Sequence, residues 1–137
     1  MMLRELINDI TSKLSENGVT PVYSAFDAVP VSRKGSGFFT VVGIGSYESS
    51  TPIYSPYTVF LPFRTEIEIS ITAPENYSMI QLYDYYDEKV GPVVADMSGM
   101  TCRLSRMSVK FDSNIQRLVL KAGLSASGIT KIGRDSV

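Results

Sequence analysis

Glu66 and Glu68 stand two residues apart in RTEIEIS (64–70), so on an extended chain both carboxylates project from one face. Same-face neighbours on a strand lie roughly 7 Å apart, within the range at which two carboxylates cleave a glycosidic bond. That chemistry needs one acid buried, so that its proton is held near neutral pH. The alternation predicts the reverse: Ile67, Ile69 and Ile71 take the dry side and leave Glu66, Glu68, Ser70 and Thr72 facing water. A plainer set of partners lies downstream. Arg117 and Lys121, or Arg106 and Lys110, have the spacing to meet the glutamates across strands. Solvent-face charge pairing is the favoured reading. A contact with a neighbouring subunit and a small hydrolase working through Glu66 and Glu68 remain as alternatives.

Other candidate chemistry is thin. The 137 residues include no histidine and one cysteine, Cys102. The absence of histidine removes the commonest general base, the Ser–His triad and most zinc sites. Cys102 has no histidine to activate it and reads as a buried, inert thiol. GIGSYE (43–48) carries Gly43 and Gly45, but Glu48 stands where a dinucleotide loop needs glycine, and no helix follows. The two glycines read as a strand twist or a close backbone contact. SRKGSG (32–37) is a basic loop that could hold phosphate weakly, and a surface loop is the simpler reading. NYS (76–78) matches a glycosylation sequon without a secretory signal beside it. We therefore expect no catalytic residue, no cofactor and no metal.

The elements that position these residues follow from periodicity. Leu3, Leu6, Ile7, Ile10 and Leu14 make one apolar stripe on a helix over 2–16, with Gly18 suited to its left-handed cap. A short strand (21–26), a loop (29–37) and an aromatic, β-branched strand (38–47) come next. ESSTPIYSP (48–56) is too polar and proline-rich for a central strand and reads as the tip of a long hairpin. A strand over 57–73 returns from it, with Pro62 as a candidate bend. Tyr47, Tyr54 and Tyr57 flank this arm, where tyrosine is common interface material.

SMIQ (78–81) has capping-box spacing for a second helix, with Met79, Leu82, Tyr83, Tyr86, Val90 and Val93 as its buried stripe. Gly91-Pro92 should end or kink it. A final hairpin (100–123) carries a parity change that predicts a bulge near Ser105. The order α-β-β-β-α-β-β implies an α+β fold, a mostly antiparallel β-sheet with both helices on one face. Residues 1–123 form the expected domain, and 124–137 a tail for a partner to order.

Charge is uneven along the chain although the net value is −1. Residues 65–98 hold seven acids against Lys89, giving −6; residues 99–137 hold seven bases against Asp112 and Asp135, giving +5. Strand pairing within the chain would bring the two regions together, as would contact between neighbouring subunits. The bases are spread along alternating strands rather than gathered in one stripe, which argues against nucleic-acid binding. No apolar run is long enough to span a membrane, and no basic segment precedes an apolar run at the N-terminus, so synthesis in the cytoplasm is expected.

The leading helix LRELINDITSKL (3–14), a loop with VP (29–30), a long hairpin, a mid-chain helix with YDYYDEKV (83–90) and a closing hairpin with a short tail together resemble the tail terminator, or tail-completion, proteins of long-tailed phages and prophages. The resemblance is one of size and order over nearly the whole chain. It implies a virion structural protein whose partners are itself, in a ring commonly of six subunits, and the tail-tube and head-connector proteins. It further implies assembly in a bacterial cytoplasm and residence in a virion or tail-like particle. Ring closure needs two different surfaces per subunit, and Tyr47, Tyr54, Tyr57, Glu66, Glu68, Arg106, Lys110, Arg117 and Lys121 are the candidate interface residues.

Overall fold

The structure, a computed structural model, describes residues 2–19, 21–24, 38–74, 76–97, 99–113 and 116–133. The loop expected at 29–37, with its candidate phosphate-binding stretch, lies outside these residues. So do Ala25, Phe26, Asn114 and 134–137.

Helix α1 (Met2–Glu16) buries Leu6, Ile7, Ile10 and Leu14, as the spacing predicts. Gly18 ends it at φ 90°. The Gly18 N–H donates to the Ser15 carbonyl at 3.1 Å and the Val19 N–H to the Leu14 carbonyl at 2.9 Å. That reciprocal pattern is a Schellman cap, with fully buried Val19 as its apolar contact.

Six strands follow: β1 (Val22–Ser24), β2 (Phe39–Ser49), β3 (Ile53–Tyr54), β4 (Thr58–Pro74), β5 (Met100–Asp112) and β6 (Arg117–Gly133). They form one sheet in the order β1-β2-β4-β6-β5, with β3 also paired to β4. The β1–β2 pair is parallel and the others antiparallel. Alternation decides the two faces. Ile67, Ile69, Ile71 and Ala73 of β4, Val42 of β2, and Leu118, Leu120, Ala122, Leu124 and Ala126 of β6 pack in one core beneath the helices.

Two strand findings go beyond the sequence pattern. The arm at 48–56 contains β3, which folds back on Val59 and Phe60. Its turn is closed by the Ser55 N–H donating to the Thr58 carbonyl at 2.8 Å and the Thr58 N–H to Ser55 Oγ at 3.1 Å. The expected break after residue 123 is corrected: β6 runs on to Gly133, paired with β4 to its beginning. Leu124 and Ala126 hold core positions, and the small residues around them suit a strand as well as a tail.

The second helical segment comprises α2 (Met79–Tyr85), a π-turn (Tyr86–Val90) and α3 (Gly91–Ala95). The capping box forms as its spacing predicts: the Ser78 N–H donates to Gln81 Oε1 at 2.8 Å, and the Gln81 N–H to Ser78 Oγ at 3.2 Å. Gly91-Pro92 does not end the segment. The Gly91 N–H reaches back five residues to the Tyr86 carbonyl, so the widened turn places Pro92 in the first turn of α3, where a missing N–H costs little. The buried stripe becomes Leu82, Tyr86, Val90 and Val94. Met79 and Tyr83, which lie in α2 ahead of the widened turn, are exposed, contrary to expectation: the stripe takes one residue in four, and these two fall beside it. Asn17 Nδ2 donates to the Lys89 carbonyl at 2.7 Å, tying the end of α1 to the π-turn.

Candidate subunit interface

On the sheet face turned away from the helices, one row of register partners reads Gly43, Glu68, Gly123, Arg106. The expected bulge lies between Leu104 and Arg106, where Ser105 Oγ donates to the Gly123 carbonyl at 2.9 Å. This bulge returns Leu104 to the helix side and sends Arg106 to the other. Because Gly123 has no side chain, Arg106 lies across its backbone: a Cβ there would stand 3.0 Å from Arg106 Cγ and Nε. Arg106 thereby borders an open depression shared with Glu66 and Glu68.

The candidate residues separate by row. Lys121 joins Glu68 and Arg106 around the adjoining hollow. Lys110 sits beside Lys121 but opposite Val119, nearer Phe111 and Asp112. Arg117 is at the far end of the sheet, opposite Pro74, with its guanidinium 5.4 Å from the Phe39 ring centre. Glu66, Glu68, Arg106 and Lys121 are therefore neighbours, whereas Lys110 and Arg117 stand apart. Both carboxylates are exposed and share their hollow with a cation, unlike the dry, enclosed acid that glycoside cleavage requires.

The tyrosines divide as well. Tyr47 projects to the helix side of β2 and stacks on Phe63, ring centres 5.6 Å apart; burial raises its phenol above the ordinary value of 10.0. Tyr54 and Tyr57 are exposed at the β3–β4 turn, Tyr57 at 76%. Ile53, Ile129 and Ile132 add apolar surface to the same arm. The two β6 isoleucines fall in 124–137, where composition points to a tail; continuing the alternation begun at Leu118 carries Ile132 to the helix side, whereas Ile129 has the opposite parity and faces the other way.

The remaining candidates are structural. Gly45 lies where the β2–β4 register shifts, and Thr65 Oγ1 donates to the Ser46 carbonyl at 2.7 Å there, which makes GIGSYE a bulge. Cys102 is half-buried among core residues, and burial raises its thiol above 9.0. Among the described residues no group of three or more acidic, Cys or His side chains could hold a metal ion, and no helix is long and apolar enough to cross a membrane.

No family model matches the chain, and no curated protein sequence matches it. Solved structures do. A sheath/tube terminator of an extracellular contractile injection system, PVC, in its extended state aligns with 100% of this chain at a TM-score of 0.52 and 8% identity. The alignment spans 60% of that terminator, so this chain is the length of a little over half of it. A chain of the virion of a native gene transfer agent particle aligns over 94% of this chain and 98% of its own, at a TM-score of 0.52 and 13% identity. This α+β chain thus shares its fold with a sheath/tube terminator of a contractile injection system and with a chain of a gene transfer agent virion.

Proposed function

We propose that this chain is a structural protein of a phage or prophage tail, a tail terminator that forms a ring on the tail tube and joins it to the head connector. The observation that carries the reading is the likeness in fold, along the full chain, to a sheath/tube terminator. The gene transfer agent component, alike over nearly its own whole length, supports it. The ring is a homo-oligomer, six-membered in the assembled tail, built in the bacterial cytoplasm and retained in the particle. Its subunits meet through unlike surfaces. The exposed Tyr54, Tyr57 and Ile53 on the arm suit contact with tube or connector proteins, and the Glu66, Glu68, Arg106 and Lys121 group suits a polar subunit contact.

A neck, baseplate or adaptor protein of the same fold is the second reading, supported by the same likeness. The hydrolase reading finds no enclosed site around Glu66 and Glu68. Multi-angle light scattering with negative-stain microscopy tests the proposal: we expect rings that grow with concentration or on addition of tail tubes. A permanent monomer that cleaves a glycan, and loses that activity on Glu68→Gln, would overturn it.

A further inference from the structure

The outward face of α2 is exposed, and half of it is apolar. Leu82 and Tyr86 turn to the core, so Ile80, Tyr83, Asp84 and Asp87, at i, i+3, i+4 and i+7, point the other way. Ile80 is 70% exposed and Tyr83 41%, with Met79 at 48% beside them. An apolar first turn followed by two carboxylates has the composition of a contact surface with a polar rim.

The opposite flank of the sheet carries its complement. Near the β5–β6 turn, Phe111, Val119, Lys110 and Lys121 border a hollow of about 290 Å³. That is just below the roughly 300–1,000 Å³ of small-molecule pockets, and it suits side chains from another protein surface. Phe111 is 50% exposed there. Among the described residues Asp112 is the one acid on the border, and it lies in register with Arg117. The two lysines therefore set the sign of the hollow.

We propose that the α2 face of one subunit seats in the β5–β6 hollow of a second copy of this chain. Ile80 and Tyr83 meet Phe111 and Val119, and the two aspartates meet the two lysines. The inference rests on the ring reading above and names a joint for it.

The charges match in number and in spacing. Asp84 and Asp87 are about one helical turn apart, roughly 5–6 Å between β-carbons. Lys110 lies opposite Val119, two residues from Lys121 on β6, a diagonal of roughly 7–8 Å. Like charges so close repel within each pair, and the joint relieves both pairs at once.

Placement also fits closure. Phe39, Thr72, Val119 and Lys110 form one register row across the sheet. Tyr77 and Tyr85 pack on Phe38, which holds α2 over the β2 end of that row. The hollow lies at the β5 end, three strand spacings or about 14 Å away. The two surfaces are unlike, on opposite flanks, and level along the strands. A rotation about an axis parallel to the strands can bring one onto the other without a rise, as a closed head-to-tail ring requires.

The test uses the full chain. Asp84→Lys with Asp87→Lys, and separately Lys110→Glu with Lys121→Glu, should each raise the concentration for half-assembly several-fold in sedimentation velocity, with urea midpoints near wild type. Neither variant should form rings at the wild-type concentration. An equimolar mixture of the two should, because alternating copies in an even-membered ring restore every joint. Ile80→Ser leaves the charges alone and should weaken assembly as well. Variants that assemble like wild type, or a mixture without rescue, would overturn this joint and leave the ring reading standing. A wild-type chain that stays monomeric even with tail tubes would sink both.

Discussion

Arg106 rests on the bare backbone of Gly123, its Cγ and Nε 3.0 Å from where a β-carbon would stand. Gly128, five residues along the same strand, faces immovable neighbours instead: a Cβ there would be 2.6 Å from the Gly99 carbonyl oxygen and 3.0 Å from Met100 Cβ and Phe63 Cζ. The two glycines should therefore respond differently to alanine. Gly123→Ala displaces an exposed arginine and should alter stability by no more than about 0.5 kcal/mol. Gly128→Ala must push strands apart and should cost about 1–3 kcal/mol. Urea unfolding of both variants checks the contrast.

The Ser78–Gln81 capping box starts the second helical segment with two reciprocal bonds. Ser78→Ala should cost about 1 kcal/mol. Gln81→Ala should cost less alone, and a double-mutant cycle should show the two losses to be less than additive, since either change breaks the reciprocity.

Ile69 is fully buried in the core, whereas Ile80 is 70% exposed on α2. Ile69→Ala should cost about 2–5 kcal/mol, and Ile80→Ala at most about 0.5 kcal/mol. Equal losses would mean that the isoleucine side of β4 is not the principal core face. Thermal and urea melts of the two variants decide it.

Stability should fall on the alkaline side. Burial raises the Cys102 thiol above 9.0, and burial, with help from the Cys102 and Asp87 charges, raises the Tyr86 phenol above 10.0. Each group binds its proton more tightly folded than unfolded. The stabilisation is complete below the unfolded values, and is lost as pH rises from about 9 through the folded ones. Urea midpoints between pH 7 and 11 should trace that decline, and Cys102→Ser should flatten its first part. The raised thiol should also make alkylation of Cys102 at neutral pH slower in native protein than in urea.

Much of this fold is written in periodicity. The α1 stripe, the Ile67–Ile69–Ile71 alternation, the capping box and the bulge near Ser105 each follow from residues close in sequence, and each is present. The departures share a cause. Pro92 stays inside the helical segment because the π-turn at Tyr86–Val90 changes the helical repeat, a shift that a 3.6-residue stripe cannot foresee. Residues 124–133 looked like tail because serine and glycine give little local preference. Their strand is decided by the length of β4, a tertiary fact. Arg117 has the parity to meet the glutamates, but its row is set by the hairpin register, which places it over Phe39 instead.

β4 and β6 face each other through seventeen consecutive residue pairs, from Thr58–Gly133 to Pro74–Arg117. One end of that ladder lies in the arm and the other beneath the helices. A force applied to the Tyr54–Tyr57 turn along the strand direction thus loads many rungs at once in shear instead of peeling them one by one. The same backbone that displays the arm can carry tension straight into the folded body, so the tip behaves as a tethered lever whose strength is that of the whole ladder.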